Sequence, residues 1–372
     1  MKVGIITFQD SYNYGATLQC YALWKYISDK GHNCEVIRLY RPPFDEYKKS
    51  QLFKPLREKE IPPMTFLHWL KIIIFGKKAV SKEYDKNFRT FNELMTFSKP
   101  YYKVDDLYKS PPLYDLYITG SDQVWNPSFG YCMEPYFLTF APNGRTKISY
   151  ASSIGIDELL DYESTKYAEW LSSYKAISVR ESTGKKILES LGLSAEVVCD
   201  PCMLLGNAKW TPLAVEPQIN KPYILLYMAG KQSNKLIQFA EKISNESGMP
   251  LVYLNRKDDK DFKGIIDSKA GPKEFIGYFR QAEMTITNSF HATIFSIMMG
   301  TKRFFAYIPE KAKRGSRIKD LLNILQLDSC ILPSQLEIDY EFLKHIEIDR
   351  KEVSSLLEKH VAHSKNFIDQ YI

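Results

Sequence analysis

A single histidine stands where proton chemistry and anion binding can meet. His291 follows Met284-Thr285-Ile286-Thr287-Asn288-Ser289-Phe290 and precedes the apolar run Ala292 to Met299, which Gly300 closes. The first four of these residues have the β-branched bias of a buried strand, and the run to Met299 suits a core helix. Asn288 and Ser289 between them can cap the helix's free N–H groups. His291 thus falls in a first helical turn, just past a strand's C-terminal end. That edge is where open parallel sheets bind ligands. A helix N-terminus attracts anions, and an imidazole exchanges a proton near neutral pH. Taken locally, a capped core histidine fits equally well.

Other side chains repeat that placement. The strand Ala176 to Val179 ends in Arg180-Glu181-Ser182, where a salt bridge to Glu181 is the competing reading. Arg314-Gly315-Ser316-Arg317 opens a helix from Ile318 to Leu327, and paired guanidinium forks there match phosphate or carboxylate, although a solvated loop fits too. The strand Tyr114 to Thr119 runs into Gly120-Ser121-Asp122-Gln123-Val124-Trp125-Asn126-Pro127, either a wall of a binding site or a hydrogen-bonded structural loop. Asn13-Tyr14-Gly15 turns from the first strand into the first helix as a ligand loop or a plain tight turn.

The elements that must carry these residues follow a βαβ rhythm. Lys2 to Phe8 is a continuous apolar run, as in a parallel strand buried on both faces. Helix Ala16 to Lys30 and strand Cys34 to Leu39 follow. Lys147 to Ala151 and Ala195 to Cys199 read as further strands, and Asp200-Pro201 ends the last and begins a linker to about Pro217. The pattern restarts with strand Tyr223 to Met228, helix Asn234 to Glu246 and strand Leu251 to Leu254. Gly264 to Asp267 reads as a strand, Lys273 to Arg280 as a helix, and Arg303 to Tyr307 as the strand after the His291 helix. The expectation is an α/β protein with two doubly wound, Rossmann-like lobes: 1–210 with a basic insertion at about 41–89, then 218–332. The segment 333–372 ends in a helix that can cross back to the first lobe.

Length and composition agree with two domains: 372 residues, 44% hydrophobic and 25% charged. Net charge is +6, and Tyr47 to Arg89 alone holds eleven Lys or Arg against four acids. So local a charge gives no stripe for nucleic acid. Within it, segment 64–78 is apolar, aromatic and cation-flanked, which suits a helix in a membrane interface or an insertion packed on the lobe. No signal peptide or bilayer-spanning run is read, so a cytoplasmic protein is expected, with 64–78 as its candidate peripheral membrane contact. Six cysteines in so long a chain make no disulfide framework, and Cys199-Asp200-Pro201-Cys202 lacks the second pair a zinc site needs. No metal or cofactor is expected.

Two such lobes turn their strand ends toward a shared cleft, the arrangement of GT-B-type transferases. In this setting the sequence resembles the polysaccharide pyruvyl transferases. The likeness runs through Thr7-Phe8, Asn13-Tyr14-Gly15-Ala16, Leu18-Gln19, Tyr21-Ala22-Leu23, Gly120 to Trp125, Ser178-Val179-Arg180-Glu181 and Asp200-Pro201. It continues in Ser289-Phe290-His291-Ala292 and Arg314-Gly315-Ser316-Arg317-Ile318. Each piece alone is weak; their order and spacing together are specific.

The resemblance implies transfer of the pyruvyl group of phosphoenolpyruvate to two hydroxyls of one sugar, giving a cyclic ketal and phosphate. The acceptor is then a sugar of a surface polysaccharide precursor, often lipid-linked, and phosphoenolpyruvate is a co-substrate. It casts His291 and Arg180 as catalytic. His291 is the acid that protonates the enol carbon, and Arg180 with Arg314 or Arg317 holds the donor's anionic groups. Ser289 and Phe290 complete the donor site, and Asn13, Asp122, Gln123 and Trp125 hold the acceptor, the tryptophan against a sugar ring. Many members have Arg-Leu-His where this chain has Ser289-Phe290-His291, so Arg314 or Arg317 is expected to supply the missing charge. Two readings compete: a GT-B glycosyltransferase using a nucleotide sugar, and a catalytically decayed sugar-binding relative.

Overall fold

The computed structural model describes residues 1–9, 11–40, 81–128, 134–230, 232–254, 262–309 and 315–372. Segment 64–78, most of the basic insertion and Arg314 lie outside them.

In the first lobe, strands β1 (Lys2–Ile6), β2 (Asn33–Val36), β3 (Leu116–Thr119) and β4 (Thr146–Ser149) form a parallel sheet in the order β2-β1-β3-β4. Single bridges from Ile148 to Ala176 and from Ser152 to Val179 carry it on to a parallel pair, β5 (Ser178–Val179) and β6 (Glu196–Val197). Helix α1 (Tyr14–Asp29) connects β1 to β2, started by Asn13, whose Oδ1 accepts from Ala16 N at 3.2 Å. Helices α2 (Lys82–Asn92), α3 (Val104–Lys109), α4 (Asp161–Leu171) and α5 (Ser182–Ser190) belong to the same lobe, α2 laying Phe88 and Phe91 on Tyr14 and Tyr21 of α1.

The expected linker after Asp200 opens instead as helix α6 (Pro201–Trp210). Asp200 caps it, its Oδ1 accepting from Cys202 N at 3.0 Å, and Pro201 sits at the first helical position, where a missing N–H costs nothing. Those signals are in the sequence, and a reading of Asp-Pro as a stop passed over them.

The second lobe is a six-stranded parallel sheet ordered β12-β11-β10-β7-β8-β9. Its strands are β7 (Ile224–Tyr227), β8 (Leu251–Leu254), β9 (Ile265–Asp267), β10 (Met284–Thr287), β11 (Arg303–Tyr307) and β12 (Ile331–Leu332). The order reverses between β7 and β10, the crevice where doubly wound sheets bind ligands. Helices α7 (Asn234–Ser247), α8 (Pro272–Gln281), α9 (Phe290–Met298) and α10 (Ser316–Ile324) cover the sheet. Gly248, in the left-handed region at φ 70°, stops α7. The whole of α9 is buried.

One apolar core runs through both lobes. Tyr14 of α1 stacks on Phe275 of α8 with centroids 4.5 Å apart, and its hydroxyl donates to Ala270 O at 2.7 Å. After the short helix α11 (Tyr340–Lys344) comes α12 (Arg350–Asp369). It starts on the second lobe, Arg350 donating to Lys302 O at 2.8 Å, and finishes on the first, where Asp369 meets Lys30 at 2.7 Å and Tyr26 at 2.9 Å. Among the described residues no helix is long and apolar enough to cross a membrane.

Candidate active site

The β7–β10 crevice is built by three consecutive side chains. Thr287 Oγ1 donates to Tyr227 O at 2.7 Å and accepts from Ser289 N at 3.0 Å, which sets the turn out of β10. Asn288 Oδ1 accepts from Ala229 N at 2.8 Å, tying the loops after β7 and β10 together. Ser289 caps α9, its Oγ accepting from Ala292 N at 3.3 Å. Phe290 and His291 therefore begin the helix, facing the first lobe.

His291 Nε2 lies 3.3 Å from Asp200 Oδ2, within ion-pair range though unaligned for a hydrogen bond. The same oxygen accepts from Arg180 Nη1 at 2.9 Å and Ser121 Oγ at 3.2 Å. Arg180 Nη2 stands 3.5 Å from Asp122 Oδ1, and its Nε 4.0 Å from Glu181 Oε2. Glu181 Oε1 accepts from Ser153 Oγ, Ile154 N and Gly155 N at 2.9 to 3.1 Å and so fixes that loop. Burial pushes the Asp200 carboxyl up, but His291 and then Arg180 outweigh it and hold the group well below the usual carboxylate range. For Arg180, burial favours the neutral form, and Asp122, Asp200 and Glu181 overcome it and keep the guanidinium charged.

Between the lobes lies a cleft of about 450 Å³, within the range usual for small-ligand sites. Asn13, Asp122 and Gln123 line it from the first lobe; Ser289, Phe290, His291 and Arg317 line it from the second. The Arg317 guanidinium rests 5.7 Å from the Phe290 ring, and Gln123, with its amide oxygen turned to accept, meets it at 3.1 and 3.2 Å. Asp320, on the same helix, accepts from Ser182 N at 2.8 Å and Ser182 Oγ at 2.7 Å, pinning α10 to the start of α5. The N-terminal ends of α1, α9 and α10 all border the cleft, and each contributes partial positive charge.

Two expected site residues are placed otherwise. Trp125 is fully buried: its ring stacks on Phe137 with centroids 5.5 Å apart, and its Nε1 donates to Tyr136 O at 2.9 Å. No face is left for a sugar, because the loop after β3 folds the indole inward. Arg180 does not line the cleft either. Its side chain has no exposure, and it sits behind Asp122 and Phe290, 4.9 Å from that ring, as counter-ion to the buried carboxylates. In this structure it holds Asp200 and Asp122 in place and touches no ligand space. Asp200, Ser121 and Asp320 are the partners the sequence reading did not assign.

Asp200, Cys202 and His291 bring three donor atoms within 4.8 Å of one another, the arrangement closest to a metal site among the described residues. The Asp200 oxygen facing His291 already carries the Arg180 guanidinium, and burial drives the Cys202 thiol well above its ordinary range. This donor set does not suit a cation.

Fold and cleft together define a GT-B-like architecture. Residues 13–306 match the profile of the polysaccharide pyruvyl transferases, and the chain belongs to that family. Solved structures of similar fold include the Escherichia coli trehalose-6-phosphate protein bound with UDP-2-fluoro glucose, at a TM-score of 0.52 and 9% identity over 100% of this chain and 98% of that one. UDP-GlcNAc 2-epimerase from Neisseria meningitidis bound to UDP-GlcNAc gives 0.51 and 7% over 100% and 99%, and Arabidopsis thaliana UGT89C1 complexed with quercetin gives 0.50 and 13% over 96% and 94%. No curated protein gives a significant match.

Proposed function

We propose that the protein transfers the pyruvyl group of phosphoenolpyruvate to two hydroxyls of one sugar in a surface polysaccharide precursor. The observation that carries this reading is the meeting of His291, Arg317 and three helix N-termini around one interlobe cleft. Phosphoenolpyruvate presents a phosphate and a carboxylate on a small frame, and helix ends with a guanidinium suit both.

In the proposed reaction His291 gives a proton to the methylene carbon of the enol, and the central carbon becomes oxocarbenium-like. One sugar hydroxyl attacks that carbon and its proton returns to His291. Phosphate then leaves, the second hydroxyl closes the ketal, and its proton departs with the phosphate. Asn13, Asp122 and Gln123 orient the sugar. Arg317 takes the part of the arginine that Ser289 replaces, since Ser289 uses its hydroxyl on the helix cap.

Calorimetric titration with phosphoenolpyruvate, beside UDP, GDP and CMP sugars, tests this. Saturable phosphoenolpyruvate binding, weakened at least about tenfold in Arg317→Ala, with phosphate release abolished in His291→Ala, is the expected result. Saturable binding of a nucleotide sugar in place of phosphoenolpyruvate would overturn the assignment.

A further inference from the structure

The imidazole of His291 is held from two sides. Nε2 faces Asp200 at 3.3 Å. The Nδ1 side lies against Gly15, the second residue of α1, where a Cβ would stand 2.1 Å from Nδ1, 2.5 Å from Cγ and 2.7 Å from Cε1. All three separations are far inside ordinary contact at roughly 3.5 Å.

The three atoms nearest to such a Cβ all belong to His291, and the backbone itself does not call for glycine. Its φ is not positive, and inside a helix glycine is a poorer choice than alanine. Nor can α1 withdraw to make room. Tyr14, the preceding residue, is stacked on Phe275 and hydrogen-bonded to Ala270 O, both in the second lobe. Any side chain at 15 must therefore displace the ring.

We propose that Gly15 is a positioning residue for His291: its bare Cα lets the first lobe close on the imidazole and seats Nε2 at Asp200. The residue acts through His291 and touches no reacting atom. Its effect on turnover rests on the pyruvyl-transfer reading, whereas the packing claim does not.

The test places Gly15→Ala in the native chain and in His291→Ala, and follows Tm together with the His291 ring resonances by NMR. In the native chain Gly15→Ala lowers Tm and shifts the His291 resonances. In His291→Ala, with the ring gone, the same substitution raises Tm, because alanine is the better helix residue. Equal Tm changes in both backgrounds, or unmoved ring resonances, overturn the proposal. Should Gly15→Ala alone fail to fold, folding of the double variant supports it and failure of both overturns it. In a phosphate-release assay Gly15→Ala lowers kcat by about 100-fold, as ring misplacement of that size does, with KM for phosphoenolpyruvate unchanged. Unchanged kcat alongside a shifted ring would refute the acid role given to His291 and leave the positioning intact.

Discussion

Asp200→Asn isolates the charge at the centre of the site, because asparagine keeps the shape and the helix cap of aspartate while removing its ionisation. In the native protein one fully buried oxygen serves Arg180 at 2.9 Å and His291 at 3.3 Å, and the other caps α6. Breaking a buried ion pair from one side costs about 3–5 kcal/mol, since the partner is left charged and dry. Arg180 keeps Asp122 at 3.5 Å and Glu181 at 4.0 Å, so the loss belongs at the lower end, about 3 kcal/mol. Asp200→Ala removes the cap as well and should cost about 1 kcal/mol more. Urea unfolding at pH 7 measures both. The folded carboxyl is held below its unfolded value of about 3.9, so the stability it contributes is present above that pH and is lost as pH falls through the folded value. The gap between native and Asp200→Asn proteins should thus narrow below about pH 4. An Asp200→Asn protein within about 1 kcal/mol of native at pH 7 would refute the account of Arg180 as counter-ion. Identical unfolding of the two variants would refute the cap.

The fold was legible where local chemistry and burial point the same way. Met284 to Thr287, capped through Asn288 and Ser289 into an apolar helix, announces a strand end with a histidine on it, and the structure forms that turn. The site was legible only in part, because its electrostatics join residues far apart in the chain. Arg180 was readable as a strand-end cation, but its carboxylates come from positions 122 and 200 as well as its neighbour 181. Residue type gave no means of telling a guanidinium neutralised inside the protein from one waiting for a ligand. Trp125 shows the same limit from the apolar side: an indole in a polar loop reads as a sugar platform until Phe137 and Tyr136 O are seen to occupy its ring and its N–H. Gly15 was legible as part of a turn or ligand loop and of the family likeness, but not as a neighbour of His291. Its requirement arises from a side chain on a helix 276 residues away, visible only after the lobes are assembled.

Trp125→Phe should cost about 1–2 kcal/mol from one lost hydrogen bond and a small cavity. Tyr136 O keeps its bond from Thr119 Oγ1, so the penalty stays in that range and, in the proposed reaction, KM for the sugar acceptor does not change; a raised acceptor KM would restore the tryptophan to the cleft wall. The other prediction concerns α12, which joins the two lobes. Burial, and then the neighbouring His363, push His360 down to about 4. Its unfolded value is about 6.5, so between the two the unfolded chain binds the extra proton and stability falls as pH falls. A shift of that size corresponds to at most about 3 kcal/mol, and the part-buried position of the ring brings it nearer 2 kcal/mol. His360→Gln removes the titration, so its unfolding free energy should decline less than the native protein's from pH 6.5 to 4, with the two curves diverging most near the lower end. Parallel curves across that window would mean that the ring reaches water in the folded chain, and that α12 lies less closely on the lobes than its contacts require.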